Sequence, residues 1–351
     1  MTTVYVKEQG ATVRRRAERL VISKGGAVLE EYPLAQVDQL VLLGNVQITT
    51  QAVATLLERE VDAVFMSIYG KFRGRLHAGA KQAQLRRQQY RFMSDEAANL
   101  RLAKAIVDGK IHNQRVLLQR QTRRTPSLAR PDEETATLAN PAHFSQALAG
   151  MMQMHRAIPQ ADNLDTLRGY EGKAAAYYFA AIRSLLEPDW KFEKRAFHPP
   201  PDPFNALLSF SYSLLQKDVE AAVNVVGLDA YLGCFHEIDA GRPSLALDLM
   251  EEWRPLIADA LALELVNRHV LRPSDFTRTS NSQRPVELGE ASMARVLQAY
   301  GARLEIKVHH PLAGGPAGGE TSLRRAIELQ ARRLAHVVSG QTPTYEAMKA
   351  K

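Results

Sequence analysis

The sequence predicts an α+β protein, with a small mostly-β N-terminal domain over residues 1–80 and a larger all-helical domain over residues 81–351. Three observations support this. Short runs rich in β-branched residues recur between Thr3 and Ala78, punctuated by Gly10, Gly25-Gly26, Pro33 and Gly70. After Gly79 the composition turns to Ala, Leu, Gln and Arg at helical spacing, with no proline until Pro126. No 20–50-residue repeat recurs along the chain, which argues against a solenoid.

In the first domain the strand candidates are TVYV, ERLVIS, GAVLEEY, VDQLVLL, VDAVFMSI and FRGRLHA. One helix interrupts them, TTQAVATLLERE, with Thr49 or Thr50 placed to cap it. In the second domain, residues 80 to 125 form a helical stretch. Helical patterns then recur over Ala142–Arg156, Leu167–Leu186, Pro203–Val226 and Ser244–Arg268, the last interrupted at Pro255. Asp202 is placed to cap the helix that Pro203 opens. FTRTSNSQRPVEL reads as a hairpin. HHPLAGGPAGGETS, residues 309–322, is too rich in Gly and Pro for regular structure and reads as a mobile loop. A last helix runs from Leu323 to Val338.

Charge is unevenly distributed. Between Lys71 and Arg130 fifteen Lys or Arg face three acids, a local charge of +12 in a chain whose net charge is +7. Such a block attracts polyanions, nucleic acid foremost, although a solvated helical face has the same composition. No apolar run of membrane-spanning length is present. The start, MTTVYVKEQG, lacks the basic-then-apolar order of a secretory signal. The single cysteine, Cys234, excludes an intramolecular disulfide and fits a reducing compartment. A soluble cytoplasmic protein is expected.

The chemistry concentrates in YLGCFHEIDAGRPSLALDLMEEWRP, residues 231–255. Asp248 and Glu251 stand three apart on one helical face, soon after His236. Two such close carboxylates repel unless a cation lies between them. The spacing admits a surface network with Arg254, or a divalent ion with His236 and a third carboxylate. Oxygen ligands suit Mg²⁺ or Mn²⁺, and one imidazole favours Mn²⁺. Glu171, in GYEGKAAAYYFAAIRSLL, reads either as a favourable acid near a helix start or as that third carboxylate. Tyr177 and Tyr178 read as core, given the Ala-rich helix around them. Cys234 and His236 lack a second Cys/His pair, so zinc is disfavoured, and His309-His310 has no carboxylate pair nearby. No P-loop, paired-glycine dinucleotide fingerprint or nucleophile elbow is present.

GYEGKAAAYYF, PPPDPFNALLSFSYSLL and GLDAYLGCFHEIDAGRPSLALDLMEEWRP, with the N-terminal run PLAQVDQLVLLGNVQITTQAVATLLEREVDAVFMSIYGKFRGRL, resemble the CRISPR-associated spacer-acquisition integrase and endonuclease, the first and most widespread of the Cas proteins. The resemblance covers most of the chain. It implies a metal-dependent DNA enzyme whose single divalent ion, Mg²⁺ or Mn²⁺, is held by Glu171, His236 and Glu251, the last position carrying Glu where Asp also occurs. Asp248 matches an additional acid near that site. A homodimer formed through the β domains, and a complex with the small second CRISPR-associated adaptation protein, are implied too. The implied reaction is transesterification, in which the 3′-hydroxyl of a short foreign DNA fragment attacks a phosphodiester at the edge of a CRISPR repeat. Arg73, Arg75, Lys81, Arg86 and Arg87, near the expected domain junction, suit phosphate contacts along double-stranded DNA. A stand-alone metal nuclease acting on branched or single-stranded nucleic acid, and a non-catalytic DNA-binding scaffold, are the competing readings.

Overall fold

The structure, a computed structural model, describes residues 2–68, 70, 72–78, 82–124, 141–196, 199–282, 285–314 and 318–350. The chain divides into two compact units, Met1–Lys81 and Gln82–Lys351. The first is rich in strands and the second mostly helical, an α+β architecture.

The first unit holds two four-stranded sheets. One runs β1 (Thr2–Val6), β5 (Val37–Leu43), β7 (Asp62–Met66), β8 (Phe72–Leu76), with β8 alone antiparallel. The other runs β4 (Ala27–Pro33), β3 (Arg19–Lys24), β2 (Thr12–Arg16), β6 (Gln47–Ile48), with only the β2–β6 pair parallel. In β5 nearly every residue is buried, as expected where both faces of a central strand are covered. The chain crosses from β5 to β7 through α1 (Thr50–Glu58), whose first turn is capped by the Thr49 hydroxyl accepting from the Ala52 N–H. Leu20, Leu40, Leu42, Ala52 and Leu56 meet in the core. β2, Thr-Val-Arg-Arg-Arg, is absent from the sequence-based strand list. Only Val13 points inward and the three arginines face solvent, so no apolar alternation marks it.

The helical stretch over residues 80–125 is two helices, α2 (Ala83–Met93) and α3 (Glu96–Arg124). They part at Ser94–Asp95, where the Asp95 carboxylate accepts from the Ala98 N–H and restarts the helix. α4 (Pro141–Ala157) and α5 (Leu164–Arg183) follow, α5 capped by Asn163. α6 (Pro203–Val226) starts at the expected Asp202 cap, whose Oδ1 accepts from the Asn205 N–H at 2.8 Å, and is buried along most of its length. It ends at Gly227, whose φ of +95° favours glycine. α7 (Ser244–Met250) gives way to a turn at Glu251–Trp253. A π-helical turn then spans Arg254–Asp259 before α8 (Ala260–Asn267). Pro255 is the cause: it lacks an N–H and crowds the preceding turn, so the ladder re-registers. Tyr178 is fully buried and Tyr177 is half-buried against Gly150, where a Cβ would lie 2.6 Å from the ring.

The remaining elements are β9 (Phe276–Arg278) paired with β10 (Val286–Leu288), α9 (Glu290–Leu304), β11 (Lys307–His310), β12 (Gly319–Ser322) and α10 (Leu323–Val338). The expectation of an irregular loop over 309–322 is corrected at both ends: β11 and β12 pair antiparallel from Lys307↔Ser322 to His310↔Gly319. Residues 311–314 form turns and bends after β11, and residues 315–317 lie outside the described set. His310 is buried, with Nε2 3.0 Å from Gln330 Oε1. No helix among the described residues is long and apolar enough to cross a membrane.

Residues 345–350 lie along α3. Asn113 donates to the Glu252 and Met348 carbonyls and accepts from the Ala350 N–H, each at 2.8 Å. A Cβ at Gly109 would stand 2.4 Å from Ala347 Cβ, so the segment's approach requires glycine there. The buried Glu252 carboxylate accepts from the Met348 N–H, the Tyr345 hydroxyl and Gln330 Nε2. Burial nonetheless pushes its carboxyl up to about 7, from an ordinary 4.5. An acid raised in this way binds its proton better folded than unfolded. Its contribution is therefore present below pH 4.5 and is lost as pH rises through about 7, by about 3 kcal/mol in all. Urea denaturation across pH 5–8 is expected to show this loss in the wild type and not in Glu252→Gln; parallel profiles would contradict it.

Candidate functional site

The site begins with Asp248. Helix α7 points this carboxylate, wholly buried, at the loop that precedes it. Oδ2 accepts from the N–H groups of Cys234 at 2.6 Å and Phe235 at 3.0 Å. Oδ1 takes the His236 N–H at 2.9 Å and His236 Nδ1 at 2.6 Å. A carboxylate accepting three backbone N–H bonds accepts the fourth as well, so Nδ1 carries a proton, and in the neutral ring the lone pair is on Nε2. The loop comes this close because residue 233 is glycine: a Cβ there would lie 2.4 Å from Asp248 Oδ2. Both Asp248 oxygens are thus engaged, and Asp248 acts on the site through His236.

One turn further along, Glu251 brings its Oε1 to 3.7 Å from His236 Nε2. Glu171 approaches from α5, two turns inside the helix, beyond the first turn where capping acts. Between the two glutamates lies Lys110 of α3, its Nζ 2.5 Å from Glu171 Oε1 and 2.6 Å from Glu251 Oε2. The Arg254 guanidinium adds a contact of 3.2 Å to Glu251 Oε1. It is itself held 4.6 Å over the Tyr212 ring, whose hydroxyl donates to Asp259 Oδ1 at 2.6 Å. The Tyr178 hydroxyl donates to the other Asp259 oxygen. Asp248 and Glu251 therefore do share a face, and the arginine pairing and the histidine pairing coexist there.

Burial alone would raise the Glu251 carboxyl, but Arg254, then Lys110 and His236, hold it below the usual carboxylate range. Burial would likewise lower Lys110, yet Glu171 and Glu251 outweigh it and keep the ammonium charged.

Glu171 and Glu251 meet at the Lys110 ammonium, and His236 Nε2 lies 3.7 Å from the other oxygen of Glu251; carboxylates with one imidazole are donors of the kind that suits Mg²⁺ or Mn²⁺. Glu251 Oε2 is buried and, although the Lys110 ammonium is close, it has no aligned hydrogen bond. Among the described residues no three His, Cys, Asp or Glu side chains are gathered into a ready metal cage. The charge between the glutamates is the ammonium. These donor types could hold a divalent ion once the Lys110 ammonium, which stands between the two glutamates, moved aside.

Arg73 and Arg75 belong to the first unit and Arg86 and Arg87 to the second, while Lys81 lies outside the described residues. Arg73 and Arg87 are exposed. Arg75 is half-buried and paired with Asp62 at 3.3 Å, and Arg86 donates to the Gly227 carbonyl at 3.3 Å. Sequence reasoning missed Lys110, which was read only as part of the basic block. A signal was present: Lys110 falls at helical spacing within the buried row Ala103, Ile106, Val107, Ile111 and Gln114.

Asp248→Asn would bring an amide N–H against backbone donors, and we expect a loss of about 2–4 kcal/mol in stability by urea denaturation. A loss near zero would contradict the role of Asp248 in holding the loop.

The chain's similarities to known proteins fit this arrangement. The family profile described as CRISPR associated protein Cas1 matches residues 4–302. A CRISPR-associated endonuclease Cas1 of Thermus thermophilus is 33% identical over 98% of this chain and 96% of its own length. Another, of Rhodospirillum rubrum, is 34% identical over 98% and 97%. A Cas4 exonuclease/Cas1 endonuclease fusion of Geobacter sulfurreducens is 34% identical, and the chain spans 59% of its length. In fold, the chain superimposes on a casposase bound to integration product with a TM-score of 0.80 at 20% identity, covering 99% of this chain and 93% of that one. It superimposes on a Cas1 protein from Thermotoga maritima with a TM-score of 0.76 at 22% identity, covering both chains fully. With a family match over most of its length and relatives a third identical from end to end, the chain belongs to the Cas1 family of CRISPR-associated proteins.

Proposed function

We propose that this protein is a divalent-metal-dependent DNA integrase and endonuclease of CRISPR adaptation, joining the 3′-hydroxyl of short foreign DNA fragments to a CRISPR repeat. The observation that carries the reading is that Glu171 and Glu251 meet at one cation position, with His236 Nε2 3.7 Å from the second Glu251 oxygen and Asp248 holding the imidazole. Relatives named as endonucleases, and the shared fold of a casposase bound to its integration product, support it.

Glu171, His236 and Glu251 would hold the ion. Bound there, Mg²⁺ or Mn²⁺ supplies Lewis-acid activation of the attacking hydroxyl and charge neutralisation at the phosphate. The chain's own groups do the rest. Asp248 fixes the Nδ1–H tautomer, so that Nε2 faces the site throughout. Arg254, clamped over Tyr212, offers guanidinium donors beside Glu251, placed for a phosphate oxygen. In joining, the 3′-oxygen forms a bond to phosphorus and loses its proton, while the bond to the repeat's own 3′-oxygen breaks and that oxygen gains one. With water in place of the 3′-hydroxyl the same exchange nicks DNA.

The partners follow from the same reading: double-stranded DNA, a second copy of the chain in a homodimer, and the small second adaptation protein. A chain of a Cas6-RT-Cas1–Cas2 complex shares the fold, with a TM-score of 0.80 at 21% identity, this chain spanning 36% of that longer one. Of the five basic residues, the exposed Arg73 and Arg87 suit sequence-independent phosphate contacts, whereas Arg75 is committed to Asp62.

The test combines a labelled short duplex, the small partner protein and a supercoiled plasmid carrying a CRISPR repeat, with Mn²⁺ or with chelator. Label is expected to join plasmid only with metal, and joining is expected to fall to background in Glu251→Gln. Nicking without joining would replace the integrase with a stand-alone nuclease. DNA binding with neither reaction would replace it with a scaffold.

A further inference from the structure

Lys110 is a cation built into the chain at the point where the metal reading needs an empty one. Its side chain is 9% exposed, and it leaves α3 from a buried apolar row to reach Glu171 and Glu251. These are two of the three groups that would ligate the divalent ion. Without a positive charge between them, two carboxylates buried this closely repel. An ammonium and a divalent ion repel as well, so both cannot occupy one gap.

The two basic groups at the site differ in freedom. Arg254 is stacked on the Tyr212 ring and fixed by a planar guanidinium. Lys110 is a compact charge on a flexible four-carbon stem, and Glu171 and Glu251 are the partners that hold its ammonium.

We propose that Lys110 is the resident counter-cation of the site: it holds Glu171 and Glu251 together in the metal-free protein, and a divalent ion enters by displacing its ammonium from between them. The inference rests on the metal-site reading above. It makes the metal-free fold self-sufficient, because the carboxylates are never left facing one another. It also weakens metal binding, because each ion must first break two ion pairs. The site is then loaded only where divalent ion is abundant or where bound DNA adds further negative charge.

The test uses the full chain without DNA. Mn²⁺ is titrated calorimetrically into wild type, Lys110→Met and Glu251→Gln, and thermal unfolding is followed with Mn²⁺ and with chelator. Lys110→Met is expected to bind Mn²⁺ roughly tenfold or more tightly than wild type. It should also melt lower than wild type in chelator and regain the difference in Mn²⁺. In the wild type, which needs no substitution to fold, acetylation of Lys110 by an N-hydroxysuccinimide ester should quicken when Mn²⁺ binds. Unchanged or weaker Mn²⁺ binding in Lys110→Met, or Lys110 acetylation that stays constant while Mn²⁺ binds, overturns the counter-cation and leaves the metal site standing. Mn²⁺ uptake that is absent from both proteins, or that survives Glu251→Gln, overturns the metal site and the inference together.

Discussion

Burying carboxylates together costs several kcal/mol per charge unless a cation lies between them, and the helical unit is arranged around that requirement at Glu171 and Glu251. Three helical segments converge to satisfy it. α5 brings Glu171, the turn after α7 brings Glu251, and the long helix α3 brings Lys110 between them. The turn at Glu251 is shaped by Pro255, which prevents α7 from running on into α8 as one regular helix. Neighbouring carboxylates consequently leave the chain in different directions. Glu251 enters the site, while Glu252 goes to Gln330, Tyr345 and the Met348 N–H.

Asp248 is the second device. A wholly buried carboxylate with four N–H donors defines the loop from Gly233 to His236 as firmly as a short stretch of regular structure would. Its second effect is to hold the imidazole by Nδ1, so that Nε2 is the ring nitrogen on the side of Glu251. Gly233 permits this because its missing Cβ is the space that Asp248 fills. Sequence, loop geometry and the orientation of His236 are thereby linked through one residue.

Much of this was legible without coordinates where local chemistry and tertiary structure agree. The limits of α6 and α10 match the sequence reading because Asp202-Pro203, Gly227 and Ser322 are cap residues with a local mechanism. The convergence of Asp248 and Glu251 follows from helical spacing, and His236 from its place shortly before them. What was not legible depends on partners distant in sequence. β2 carries three exposed arginines and is a strand only because β3 and β6 flank it. The Gly-rich segment after His310 forms a hairpin because its ends meet, although its middle has no strand propensity. Lys110 was hidden by its fourteen basic neighbours between Lys71 and Arg130, since composition does not say which lysine points inward. Arg75 shows the converse, a residue that looked available and is spent on Asp62.

The central claim is the proposal that Glu171 and Glu251, with His236 beside Glu251, bind a divalent ion at the position that Lys110 fills in the absence of metal. The most direct measurement is anomalous diffraction at the manganese edge from crystals of the protein grown with and without Mn²⁺. The account predicts one anomalous peak bounded by Glu171, His236 Nε2 and Glu251, with the Lys110 ammonium moved out of the gap, and the ammonium back between the glutamates in the metal-free crystal. A peak elsewhere, or a peak there with Lys110 still bridging the two carboxylates, would contradict it.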